Sequence, residues 1–250
     1  MPMFNLRLAI APLILSGLAA CDALDPPPPQ TQKMPSAETK APVVTDRPLG
    51  LDEIRTPAGI RVLPAEKRVL VLSGHVAAGA ALYRAGDREA ATSHFGRLTT
   101  DGSATERAGF EAFGFEPAAF DDFPTDPTGE TETSADPSEA EAHILDVIAE
   151  TGTRPLDQIL FLLEQCSDSY AAGVLDAAIE RPLAYQASYG YAVIARDIAR
   201  QIEDGDDLLL ELEILVRMWP DEGPVDADAV APEPAIGTQI ARARLAASIL

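Results

Sequence analysis

Three histidines, two cysteines and a group of tyrosines are the residues of this 250-residue chain whose types could do chemistry. His75 and His94 fall on what read as successive helices, so their imidazoles could face each other across a hairpin. With nearby carboxylates such a pair would suit Zn²⁺, Mn²⁺ or Fe, and a divalent-metal domain or metallo-enzyme is one expectation. Against it, His75 has no helical H-x-x-x-H partner and neither HExxH nor E-x-x-H occurs, so a packing role competes at each histidine. His143 has Glu139 four residues before it and Asp146 three after, on one helical face that reads equally as a solvated stripe. Tyr185 and Tyr189 are four apart in LAYQASYGYAVIARDIARQI, which also holds Tyr191. Their hydroxyls could line a ligand groove, or the rings could pack at helix crossings with the hydroxyl at the edge of the core. Tyr83 completes a candidate ligand-binding set of His75, His94, Tyr83, Tyr185 and Tyr189. Cys166 sits in QILFLLEQC, where a small buried hydrophobe is expected. No G-x-S-x-G elbow or phosphate-binding loop is present, and Ser73-Gly74-His75 supplies no base at a known spacing, so no catalytic residue is assigned.

The other cysteine stands in a different context. Arg7 precedes an apolar run from Leu8 to Leu18, which is too short and too abruptly followed by polar chain for a permanent membrane span. The run closes on Leu18, Ala19, Ala20 and Cys21. This resembles the lipobox of bacterial lipoproteins. The resemblance implies removal of a signal peptide of residues 1–20, diacylglycerol on the Cys21 thiol and a mature chain held to the bilayer by its acyl groups. An ordinary secretory signal cut after Ala20 is the competing reading. The implied location is the cell membrane or the outer membrane, with the folded body in the periplasm. Asp22 follows the cysteine, as in lipoproteins kept on the inner membrane by some Gram-negative bacteria, but the choice of membrane stays open.

The chain carries 40 Asp plus Glu against 19 Lys plus Arg, a formal charge of -21. A polyanion would be repelled from most directions, which excludes nucleic acid as a partner and leaves lipid, not a basic surface, as the route to a bilayer. Residues 21–63 read as a tether: four prolines at Pro26 to Pro29 and few large apolar groups cannot repay the entropy of ordering.

The body, 64–250, is expected to be all-α, an antiparallel helical array or bundle. AEKRVLVLSGHVAAGAALYRAG could be split into a strand, RVLVLS, and a short helix; the recurrence of Val69, Leu72, Val76, Ala80 and Tyr83 favours one helix over 65–85. Gly86 and Asp87 turn the corner, and Asp87 is placed to cap REAATSHFGRL. A third helix is expected at 104–113, opened by a Ser103 and Glu106 capping box, with one more turn in EPAAFDDF. An acidic loop near 124–137 precedes a helix headed by Ser138 and Glu141. Pro155 opens the next helix, and further helices are expected at 169–179, 182–202, 207–218 and 238–250. Acidic belts between Arg107 and Arg154 and from Glu203 to Glu213 lack the spacing of an EF-hand and read as solvated surface.

Within the first hairpin, Gly79, Leu82, Gly86, Ala91, Phe95 and Leu98 fall where a tetratricopeptide repeat places its small and large packing residues. ALYRAGDREAATSHF resembles the middle of one such repeat, although no second copy follows. The Gly74-His75 pair, with the lipobox and the helical body, resembles imelysin-like proteins, which are associated with iron uptake. Their Gly-x-His-x-x-Glu motif is broken here, since Gly74 directly precedes His75 and Ala78 stands where the glutamate should be. The departure removes that ligand set. The expected function is a membrane-anchored envelope lipoprotein whose helical domain binds or scaffolds an envelope protein; the alternatives are the metal-binding domain and a purely structural lipoprotein.

Overall fold

A helix forms over Ala65–Ala85 (α1) and stops at Gly86, whose left-handed φ of 85° closes the last turn with bonds to the Leu82 and Tyr83 carbonyls. Asp87 then accepts from the Ala90 N–H at 3.0 Å and starts α2, Arg88–Thr99. The computed structural model describes residues 63–100, 104–123, 136–227 and 230–250. The expected signal peptide, Cys21 and its tether up to residue 62, Ser103 of the capping box, and loop residues 124–135 lie outside the described residues.

The described residues are mostly helical: eight α-helices and one two-stranded ladder, an all-α fold. After α2 come α3 (Ala104–Arg107), two 3₁₀ turns (Phe110–Phe113 and Pro117–Phe120), α4 (Pro137–Glu150) and α5 (Pro155–Gly173). A hairpin of β1 (Val174–Leu175) and β2 (Ala178–Ile179) leads to α6 (Pro182–Ala199), α7 (Asp206–Val216) and α8 (Glu233–Ala247). No helix among the described residues is long and apolar enough to cross a membrane.

Three expected elements are corrected. The helix expected over 104–113 ends at Arg107, because Gly109 adopts a φ of 88° and hands the chain to a 3₁₀ turn. Arg68 of α1 reaches across to bond the carbonyls of Glu106 and Ala108 there. The fourth helix opens on Asp136, which accepts from the Ser138 N–H at 2.9 Å, with Pro137 in the first turn. Glu141, expected in a capping box with Ser138, instead pairs with Arg84 and ties α4 to α1. The helix expected over 169–179 does not exist as such: α5 runs from Pro155 through to Gly173, and the hairpin follows. Its turn places Asp176 and Ala177 at φ 51° and 61°, the doubly left-handed geometry of a tight hairpin loop.

Packing centres on α1. From Val69 to Ala80 every residue is buried, because α2, α4, α5 and α6 all pack against it. α5 and α6 form the most extensive helix pair, and α7 and α8 extend the array beyond them. Two close approaches set the geometry. A Cβ on Gly190 of α6 would overlap the Gly74 carbonyl oxygen, so these helices cross backbone to backbone. On the other side, Gly79 of α1 lies under the Phe95 ring of α2, where a Cβ would sit 3.1 Å from ring carbons.

Candidate functional site

The hairpin register brings the two histidines together. His75 projects from the buried stretch of α1 and His94 from the buried face of α2, and their Nδ1 atoms are 2.9 Å apart. The rings stand 5.1 Å apart between centroids. On its far side His94 Nε2 lies 3.1 Å from Oε1 of Gln186, a residue of α6 that is itself buried.

Hydrogen-bond polarity orders this chain. With Oε1 of Gln186 facing it, His94 Nε2 carries the proton and donates, which leaves His94 Nδ1 as an acceptor. His75 Nδ1 then donates to it, and the lone pair of His75 points out at Nε2. Both rings are neutral. Burial lowers His75 well below its ordinary range, and the neighbouring His94 and Arg97 push the same way. Burial lowers His94 to about 4; the Gln186 bond opposes this and Arg97 adds to it.

The neutral pair makes stability pH-dependent. Below the ordinary histidine value of 6.5 the unfolded chain takes up protons that the folded chain refuses, down to about pH 4 for His94. The contribution is therefore whole above pH 6.5 and drains away on acidification. Between pH 6.5 and 5 His94 should cost on the order of 1.5 kcal/mol of stability, and His75 acts in the same direction. The carboxylates of Asp136 and Glu211 are held below their ordinary values, so they titrate beneath this window. Urea unfolding at the two pH values measures the effect; an unchanged midpoint would show that the folded rings take up protons as the unfolded chain does.

A recess of about 370 Å³ opens beside the pair. Val71 and His75 of α1 and Ala187 and Tyr191 of α6 form its buried end. Gln165, Asp168 and Ser169 of α5 and Arg97 of α2 stand half-buried along it, and Ala172, Arg181 and Leu183 are exposed at its mouth. The Tyr191 ring lies directly over Gly74, where any side chain would collide with it, and it meets His75 edge-on at 6.4 Å. The Gly74-His75 pair thus has a packing reason: glycine makes room for the ring that helps line the recess.

The remaining candidates do not join the histidines. Tyr83 packs edge-on against Phe123 at 5.8 Å, with the Arg88 guanidinium over its face. Tyr185 and Tyr189 belong to an aromatic cluster with Tyr170 and Trp219. Tyr185 is 1% exposed, and its hydroxyl has no hydrogen-bond partner. His143 accepts the Glu116 N–H at 3.1 Å and lies against Phe115 and Phe120. Cys166 is fully buried, and burial raises its thiol far out of the reactive range.

Among the described residues no three His, Cys, Asp or Glu side chains gather where they could hold a metal ion. The charged neighbour that acts on both imidazoles is the Arg97 guanidinium, whose field opposes a cation. Sequence reasoning missed Arg97, Gln165, Ser169, Arg181 and Gln186, which belong to no motif and meet only through packing. No known protein family, curated protein or solved structure matches the chain.

Proposed function

We propose that the protein is a lipid-anchored component of the bacterial cell envelope whose acidic helical domain is a non-catalytic binding module, facing the periplasm and engaging an envelope partner. The lipobox at Leu18 to Cys21 and the proline-rich chain after it support the anchor. The observation that carries the binding reading is the recess, a cavity of ligand size walled by both apolar and polar groups. The non-catalytic part rests on how the histidines are used. Each gives its Nδ1 to the other, and no buried nucleophile lies within hydrogen-bonding reach of either ring among the described residues.

Mass spectrometry of the mature N-terminus tests the anchor. The expected species begins at Cys21 and carries a thioether-linked diacylglycerol. A mature chain beginning there with an unmodified thiol would overturn it.

A further inference from the structure

We propose that the recess between α1, α5 and α6 is a binding site for a small organic carboxylate, held by the guanidinium groups of Arg97 and Arg181. The inference rests on the reading of the domain as a binding module and is independent of the lipid anchor.

The recess is unlike the rest of this chain. Acidic residues outnumber basic ones by more than two to one over the whole sequence, yet two arginines and one carboxylate, Asp168, line this cavity among the described residues. The Arg181 side chain makes no hydrogen bond or ion pair with another described residue, while the Arg97 guanidinium pairs among them only with Glu106, at 3.6 Å. A guanidinium at the mouth and another on the wall give a carboxylate charge-assisted partners in a planar, two-pronged geometry.

Polar groups without structural work converge here. The side chains of Gln165, Ser169 and Tyr191 line the cavity and make no hydrogen bond with another described residue. Tyr191 is 4% exposed, and its hydroxyl is not among the sealed, unpaired polar atoms of the fold, so it opens onto the cavity. His75 adds no donor, since its Nδ1 proton is given to His94; its Nε2 lone pair can accept from a hydroxyl but not bond a carboxylate.

Size and the apolar walls select the ligand class. A volume of 370 Å³ equals that of about a dozen water molecules, enough for a short acyl chain or one aromatic ring. Val71, Ala184 and Ala187 offer such a body an apolar surface. A doubly charged phosphate would have to shed more hydration than two arginines return in so apolar a setting.

Equilibrium dialysis of the full chain in detergent provides the test, with benzoate and hexanoate as probes and benzamide, benzylamine and inorganic phosphate beside them. Saturable one-to-one binding of a carboxylate with Kd below about 1 mM is expected. Benzamide and benzylamine should bind at least roughly tenfold more weakly, because the charged hydrogen bonds are lost. Arg181→Ala, which removes an exposed side chain and keeps the backbone bonds that open α6, should weaken the carboxylate by a similar roughly tenfold factor. Tyr191→Phe, which keeps the ring over Gly74, should weaken it less. The proposal fails if neither carboxylate saturates below about 10 mM, if Arg181→Ala binds as wild type does, or if phosphate or benzamide binds more tightly than both acids. Consumption of a probe during dialysis would sink the non-catalytic reading instead and leave the site standing.

Discussion

Gly190→Ala is expected to destabilise the domain by about 3 kcal/mol or more, near the upper end for overpacking a core. Most added methyl groups meet the movable end of a side chain. Here the new Cβ meets the carbonyl oxygen and carbon of Gly74, and the Ala78 nitrogen lies 3.1 Å away. All are backbone atoms of α1, so relief requires the two helices to move apart. That separation would loosen the central helix from its largest neighbours and draw Gln186 and Tyr191 away from the histidine pair, since both ride on α6. For a domain of this size the loss corresponds to a fall of roughly 6 to 12 °C in melting temperature. Gly237→Ala supplies the internal contrast. Gly237 lies within α8 with nothing near its missing Cβ, so alanine there should stabilise by about 1 kcal/mol through helix propensity alone. A Gly190→Ala protein melting within about 2 °C of wild type would mean that the helices do not cross at these glycines.

The same crossing explains what could and could not be read from the residues. Helix ends marked by local chemistry were legible: Gly86 and Asp87 close one helix and open the next, and Pro155 starts α5. The strand-like look of RVLVLS had a physical origin, because a helix buried on every side carries no polar stripe and loses the 3.6-residue contrast. The end of α5 was misread for the opposite reason. The hairpin after it turns through Asp176 and Ala177, where the usual signal is Asn-Gly or Asp-Gly, so nothing announced a turn.

At the site, hairpin register, which is local, allowed His75 and His94 to face each other, and the structure brings them together. Their partner Gln186 lies 92 residues along the chain from His94, and it arrives only because two glycines let α6 settle against α1. Arg97 and Arg181 carry no spacing signal either. Their significance is a contrast in charge with the rest of the molecule, visible only once the cavity has a boundary.

Cys21→Ala is expected to abolish palmitate incorporation and, where a signal peptidase still cuts the chain, to move it from the membrane fraction to the soluble one. The magnitude follows from hydrocarbon transfer. One acyl chain gives only marginal, reversible attachment, with an association constant of about 10⁴ M⁻¹. At about 0.8 kcal/mol per methylene, the second chain of a diacylglycerol adds on the order of 10 kcal/mol, about seven powers of ten in the partition constant. No feature of the described residues replaces that term. The formal charge of -21 repels anionic headgroups, and the described helices include none able to span a bilayer. Loss of the thiol should therefore act as a switch and not as a gradation. Intact mass separates its two forms, a cleaved soluble chain and an uncut precursor still held by the run from Leu8 to Leu18. In both, labelled palmitate should fall to background. A Cys21→Ala chain that keeps its label, or a wild-type chain that high salt strips from membranes without detergent, would place the attachment somewhere other than this cysteine.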